Sequence, residues 1–307
     1  MRAPRRTGSL PVLKIGIVHT AGSPCRCHIA LRGAVRALGH VAVVVENERL
    51  NASREALVAS DLVFEHSDTY CGRYSLQRCV RGRLEFWGCR LAGARAADSA
   101  CSDNKILTHQ ILGIAGIPMP RWSRIRGARG GAGDLPFPRV VKNAWGHNST
   151  GLRFVRTAAE WRRLRPSREP RLVEEFVAGR ELTLAGYEVR GRIRWLPVIE
   201  VCVPASGLYT YGRKWGARQP RRRVANLAPA ILGRILRFAA RAWSMLGIRD
   251  YARFDLRLGI DGEPYFLEAN VRPSVEPGSE MMLAAREAGL RPEDLIGRII
   301  ANAVKRC

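Results

Sequence analysis

Residues 251–273, YARFDLRLGIDGEPYFLEANVRP, restrict what this chain can fold into more than any other stretch. Ala252, Phe254, Leu256 and Leu258 alternate with Arg253, Asp255 and Arg257, which is the period of a strand with two different faces. Asp261-Gly262 reads as a two-residue hairpin loop, because a type I′ turn needs positive φ at both central positions. With Ile260 opposite Glu263, the register carries Asp255 opposite Glu268 and Arg253 opposite Asn270. Two carboxylates facing each other across a ladder repel by roughly 0.2–1 kcal/mol. A divalent cation reverses that sign. Asp, Glu and an Asn amide oxygen are the hard donors that Mg2+ (or Mn2+) takes, with substrate phosphates completing the shell. The alternative is an exposed hairpin whose polar face is merely wet.

The chain has 307 residues, enough for two or three compact domains, and its 46% apolar and 25% charged content is that of an ordinary globular protein. No run approaches the roughly 18–20 apolar residues of a membrane span. The N-terminus is basic, then briefly apolar around Lys14, and lacks a small-residue cleavage site. It reads as a frayed tail entering a strand, which places the protein in the cytoplasm with its eight cysteines reduced. The net charge of +24 points first to a polyanion partner. However, Arg supplies 46 of the 51 basic residues and is scattered, so the excess reads as compositional bias. No basic stripe interleaved with aromatics argues for nucleic acid. The expected partners are a small amino-acid or peptide substrate, with neither membrane nor nucleic acid, and a homodimer is the assembly to test. Of five Lys, three (Lys105, Lys142 and Lys214) fall in the motifs below, where a compact point charge suits phosphate.

In chain order, strands at Val12–Val18, Val41–Glu46 and Leu62–Glu65 flank a helix from His28 to Gly39, predicting a small doubly wound α/β domain to about residue 100. The first strand–helix loop, HTAGSPCRCH, lies at a strand's carboxyl end, where ligands tend to bind. Its Cys25-x-Cys27-His28 has no second Cys/His pair at zinc spacing. Ser102 or Asp103 is expected to cap a helix to about Ala115 with Lys105 in its first turn, where the dipole opposes a cation and a phosphate would relieve the conflict. A snorkelling surface Lys is the alternative. Gly146–Gly151 (GHNSTG) follows a strand at Phe137–Lys142 and can aim backbone N–H groups at a phosphate, or be a plain hairpin turn. It lacks the Walker ending. Thr157-x-x-Glu160 is a capping box. Glu174, Glu175 and Glu181 bracket a bend at Gly179, where backbone can pair with a flat heterocycle and Glu181 with a ribose hydroxyl, or the acids are solvated on an edge strand. The loop GLYTYGRKWGARQPRRR is expected to close over an anionic substrate. Helices near 230–246, 278–288 and 292–304 complete the pattern.

Together, Lys105 in SDNKILTHQILGIAGIPMP, Lys142 in FPRVVK, GHNSTG, VEEFVAGREL, YTYGRKW and RFDLRLGIDGEPYFLEAN resemble an ATP-grasp ligase, and within that superfamily the D-alanine–D-alanine ligase group. The resemblance covers about residues 12–304. It implies an α+β fold, with an N-terminal Rossmann-like α/β domain (1–101), a central ATP-grasp subdomain (102–178) and a C-terminal one carrying the metal site (179–307). It further implies that Lys105 and Lys142 bind ATP phosphates beneath Ser149, Thr150 and Gly151. Glu174 with the backbone at Phe176 and Val177 would hold adenine, Glu181 the ribose and Lys214 the γ-phosphate. Asp255, Glu268 and Asn270 would hold Mg2+ (or Mn2+), and Arg253 would stabilise charge developing on the acyl group. The activity implied is peptide-bond formation through an acyl phosphate. A ligase for another amino acid or peptide, and a non-catalytic nucleotide- or RNA-binding relative, are the alternatives.

Departures fall on the amino-acid side. The family's acid in the first loop is absent from HTAGSPCRCH, its loop Ser falls on Asn148, and its Tyr on Trp215. Arg272 and Ser274 replace a small or polar residue and a Gly, whereas Ser279 matches a residue near the second substrate's carboxylate. Arg272, Arg213 and Arg218 suit a substrate carrying additional negative charge.

Overall fold

The computed structural model describes residues 11–127, 134–147, 149–204, 207–208 and 219–306. Strands β1 (Lys14–His19), β2 (Val41–Glu46) and β3 (Leu62–His66) pair in parallel in the order β2-β1-β3. They are apolar runs because helices cover both faces, as parallel pairing requires. Helix α1 (Cys27–Ala37) makes the β1–β2 crossover; α2 (Arg54–Val58) precedes β3 and α3 (Arg78–Phe86) follows it.

Two helices that meet end to end lead out of this unit, α4 (Ala96–Asp103) and α5 (Lys105–Ile114). The cap between them is Asn104, not Ser102 or Asp103: its side chain accepts from the N–H groups of Ile106 (3.1 Å) and Leu107 (3.4 Å). Ser102 and Asp103 are instead the last residues of α4, a helix the periodicity alone does not reveal.

Strands β4 (Trp122–Gly127), β5 (Arg139–Asn143), β6 (Arg153–Val155) and β7 (Ser167–Glu175) form an antiparallel sheet in the order β4-β7-β5-β6. The short helix α6 (Ala158–Arg162) starts at Thr157, which accepts from the Glu160 N–H (3.2 Å), but the Glu160 carboxylate accepts from the Arg156 N–H (2.7 Å), so only half of the expected capping box forms. The third sheet holds β8 (Gly179–Val189), β9 (Arg192–Trp195), β10 (Ile199–Val201), β11 (Arg222–Val224), β12 (Tyr251–Gly259) and β13 (Pro264–Asn270). Its order is β11-β10-β8-β12-β13, with β9 also on β8. Helix α7 (Pro229–Met245) buries Ile235, Ala239, Ala242 and Trp243 among residues of β8, β12 and β13.

Helices α8 (Glu280–Glu287) and α9 (Pro292–Arg306) close the first core from the far end of the chain. Leu295, Ile296, Ile299, Ile300 and Ala303 of α9 pack in one cluster with Ile15 and Ile17 of β1 and Leu31 of α1. Fully burying an aliphatic side chain of this size contributes about 1.5–3 kcal/mol. A polar clamp reinforces the contact. Buried Asp250 accepts from the Gly93 N–H (2.7 Å), the Asn302 amide (2.9 Å) and Arg306 Nη2 (2.7 Å). Its left-handed backbone (φ 61°) costs little for an Asp in a turn entering β12.

Among the described residues, no helix is long and apolar enough to cross a membrane.

Candidate active site

The β12–β13 ladder has the expected partners where it matters: Arg253 opposite Asn270 and Asp255 opposite Glu268. The turn is different. Gly262 donates to Gly259 O (2.9 Å) and Gly259 to Glu263 O (2.9 Å), so three residues, Ile260 to Gly262, make the loop. Only Gly262 of these takes a positive φ, 76°. This is the type I turn followed by a left-handed residue, not type I′. It would shift the register by one, but Leu267 bulges out between Asp255/Glu268 and Leu256/Phe266 and restores it.

The facing carboxylates have cations beside them. Arg253 grips Asp255 with two bonds of 2.8 Å and reaches Glu280 at 3.7 Å. Burial disfavours the Arg253 cation, but Asp255, Glu280 and Glu268 outweigh it and raise its pKa above the ordinary arginine value. Thr183 of β8, opposite Asp255 in the ladder, donates to Asp255 Oδ1 (3.2 Å). Lys105 Nζ lies 3.3 Å from Glu268 Oε1 and donates to Gly146 O (2.6 Å). The cation in the first turn of α5 is therefore offset by a carboxylate and a carbonyl. The donor set still fits a hard divalent ion: two carboxylates and the Asn270 amide oxygen stand on one ladder face, and Glu268 borders two cavities.

One of these cavities lies between the second and third sheets. Val140, Lys142, Glu174, Phe176 and Val177 line one wall, and Glu181, Thr183, Arg253, Asp255 and Glu268 the other. Glu174 is buried and held by Lys142 Nζ (2.5 Å) and His109 Nε2 (2.8 Å). Burial alone would raise its pKa, but Lys142 and His109 overcome this and hold it below the usual carboxylate range. His109 was not foreseen. It sits one turn after Lys105 on α5, and its Nδ1 bonds the Lys105 carbonyl (2.8 Å). Glu181 lies 3.6 Å from Arg257, whose guanidinium stacks 4.8 Å from the Phe176 ring and donates to Gly179 O (2.8 Å). A Cβ on Gly179 would stand 2.0 Å from Leu258 O, so only glycine allows the bend.

In the glycine loop, Ser149 and Gly151 take positive φ (59° and 74°). Thr150 N–H donates to His147 O (3.0 Å) and Leu152 N–H to Ser149 O (3.2 Å), so two N–H groups bond within the turn. Ser149, Thr150 and Gly151 face Thr20–Pro24 and Tyr74 across a second cavity, and Ser149 also borders the first.

The third cavity adjoins the first through Arg253, Glu268 and Glu280. It is lined by residues far apart in sequence, among them Cys27, His66, Asp68, Asn270, Ser274 and Glu276. Ser279 Oγ donates to Ser274 O (2.7 Å) and caps α8. Arg272 also borders this cavity, but its charge is already answered. It donates to Ser99 Oγ (2.6 Å) and Asp103 (2.8 and 3.0 Å), and lies 3.3 Å from buried Glu65. Although HTAGSPCRCH carries no acid, Asp68 and Glu276 supply acids beside it: Asp68 bonds Ser23 Oγ, and Glu276 accepts from the Arg26 N–H (2.9 Å). Lys214, Trp215, Asn148, Arg213 and Arg218 lie outside the described residues.

The D-ala D-ala ligase C-terminus family model matches residues 115–301. The chain is 32% identical over 243 residues to the D-alanine–D-alanine ligase of Verminephrobacter eiseniae (76% of this chain, 73% of that one). It is 29% identical over 281 residues to that of Aquifex aeolicus (88% and 92%). The crystal structure of D-alanine–D-alanine ligase from Bacillus anthracis complexed with ATP superposes with a TM-score of 0.75 at 20% identity, covering 96% of this chain and 98% of that one. The α+β architecture of three sheets is therefore that of the ATP-grasp fold, and the chain belongs to the D-alanine–D-alanine ligase family.

Proposed function

We propose that this enzyme, an ATP-dependent ligase by family, joins an amino-acid carboxylate to an amine in the angle between its second and third sheets. The observation that carries this is the shared wall of two cavities. Arg253 and Glu268 border both the cavity of Lys142, Glu174, Phe176, Val177 and Glu181 and the cavity of Asn270, Ser274 and Ser279. The first suits a nucleotide: a lysine for phosphate, backbone at Phe176 and Val177 for adenine, and Glu181 for a ribose hydroxyl. The second suits the amino-acid reactants.

The substrate carboxylate attacks the γ-phosphorus of ATP, and ADP leaves. The amine then attacks the acyl carbon, phosphate leaves, and the amine loses its proton. Lys105 and Lys142 neutralise phosphoryl oxygens, and Arg253 faces the tetrahedral oxyanion. Each acts as preorganised charge that needs no solvent reorganisation. Asp255, Glu268 and Asn270 are the residues that would hold Mg2+ (or Mn2+). That ion supplies charge neutralisation at the phosphates. Lys214 would add a cation at the γ-phosphate. The ladder keeps Asp255 and Glu268 directly opposed, and Arg253 and Lys105 moderate their repulsion.

The amino acid is one other than D-alanine, because the family's substrate-holding acid, Ser and Tyr are replaced as a set and Asp68 borders the cavity instead. The test is phosphate release from ATP across D- and L-amino acids, dipeptides and small amines. Release is expected with a specific pair and should fall about 100–1,000-fold in Asp255→Asn. No release above background with any pair, by a protein that binds ATP, would remove the ligase proposal; release with D-alanine alone would restore the narrow substrate.

A further inference from the structure

Of the groups that the reaction leaves unused, one is built like a ligand set. Cys25 and Cys27 flank the start of α1, and Glu276 comes from the segment between β13 and α8. Their Sγ, Sγ and carboxylate oxygen atoms lie within 4.8 Å of one another. The two sulfurs are 2.8 Å apart, and Cys27 Sγ is 3.9 Å from Glu276 Oε1. The thiols are free.

We infer that Cys25, Cys27 and Glu276 form a three-ligand site for a thiophilic divalent cation of the zinc class, with its fourth position open to the cavity. The distances suit it. Two sulfurs each about 2.3 Å from a tetrahedral zinc stand roughly 3.8 Å apart, so Cys25 must swing outward by about 1 Å. Cys25 is half-buried and lies on the loop before α1. The Cys27–Glu276 separation already matches a tetrahedral edge of about 3.6 Å to within a few tenths.

The surroundings hold the ligands in place. Ser274 Oγ lies 3.4 Å from Cys27 Sγ, and the Arg26 N–H fixes Glu276 Oε1 at 2.9 Å. His66 borders the same cavity and is tied by Nε2 to Tyr251 (2.8 Å). Such partners orient ligands and tune their basicity.

The site is separate from the hard-oxygen trio of the hairpin. Soft sulfur donors favour zinc-class ions, whereas carboxylates and amide oxygen favour Mg2+. The open position looks onto Asn270, Ser274 and Ser279, where water or a substrate donor atom would complete the tetrahedron.

The test uses the whole chain, reduced and stripped of metal, with Co2+ alone as probe. One cobalt per chain should produce the near-ultraviolet thiolate-to-metal charge-transfer band, and Zn2+ should displace it. Cys25→Ser changes a half-buried loop position and should weaken binding about tenfold or more while the far-ultraviolet spectrum stays native. Glu276→Gln should weaken binding by a similar factor and keep a reduced band. Cys71→Ser, at an exposed thiol, should leave band and affinity unchanged. A folded wild type with no band would overturn the site, as would a band that survives Cys25→Ser intact or disappears with Cys71→Ser. The measurement needs neither ATP nor amino acid, so its failure is distinguishable from failure of the ligase proposal.

Discussion

The two cavities that share Arg253 and Glu268 are built by opposite means. The nucleotide-side cavity is lined by strands: β5 brings Lys142, β7 Glu174, β8 Glu181 and Thr183, and β12 and β13 Asp255 and Glu268. Pairing between neighbouring strands sets the spacing of these side chains. The substrate-side cavity is lined mainly by loop residues that meet from distant points in the chain, such as Asp68 and Glu276. Apart from the ladder residues Arg253, Glu268 and Asn270, its geometry rests on ion pairs between segments. A family can keep the first kind of site while redrawing the second, since loops change with little cost to the scaffold.

Substitutions can break or sharpen that division. The largest effect is expected on the substrate side. Arg272→Met leaves Asp103 without its guanidinium partner and buried Glu65 facing Arg81 at 3.8 Å. Removing one partner of such a buried group costs about 3–5 kcal/mol, measurable by urea unfolding. Unchanged stability with a collapsed kcat/KM for an acidic substrate would instead make Arg272 a ligand contact. Next is Lys142→Met, which should raise the KM for ATP about tenfold or more and leave the amino-acid KM unchanged (about 1.4 kcal/mol per decade). If both KM values rise together, the cavities do not act independently.

Glu174 offers a pH test of the strand-built side. Its folded pKa is lowered, so the stability it contributes is full above the unfolded value of about 4.3 and is lost as pH falls through the folded value. Glu174→Gln should therefore flatten the acid limb of the Tm-versus-pH curve. A limb of unchanged steepness would mean that other carboxylates govern acid unfolding. The smallest effect is that of Asn104→Ala, which removes the cap that orients Lys105 and should cost about 1 kcal/mol in thermal unfolding.

The same division governs how much was legible in the sequence. Alternation with period two placed Asp255 and Glu268 on one face, and their pairing followed although the turn type did not. The two-residue reading lacked the extra loop residue, and the Leu267 bulge cancelled that error by a route no propensity reveals. The glycine at position 179 marked its bend because no other residue fits there. Arg272 looked available because its neighbours in sequence are apolar or small, while the acids that answer it lie about 170 and 207 positions earlier. Cys27 and Glu276, 249 positions apart, could not be joined by spacing at all. His109 was within reach: one helical turn from Lys105, it shares that residue's face of α5.

The packing of α9 against β1 and α1 has a consequence for synthesis. During vectorial translation the first sheet emerges early, yet the helix that covers Ile15, Ile17 and Leu31 is more than 250 residues away. Until that helix leaves the ribosome, the nascent N-terminal third presents an oily surface suited to chaperone capture, and it gains its full stability only when the Asp250–Arg306 staple closes.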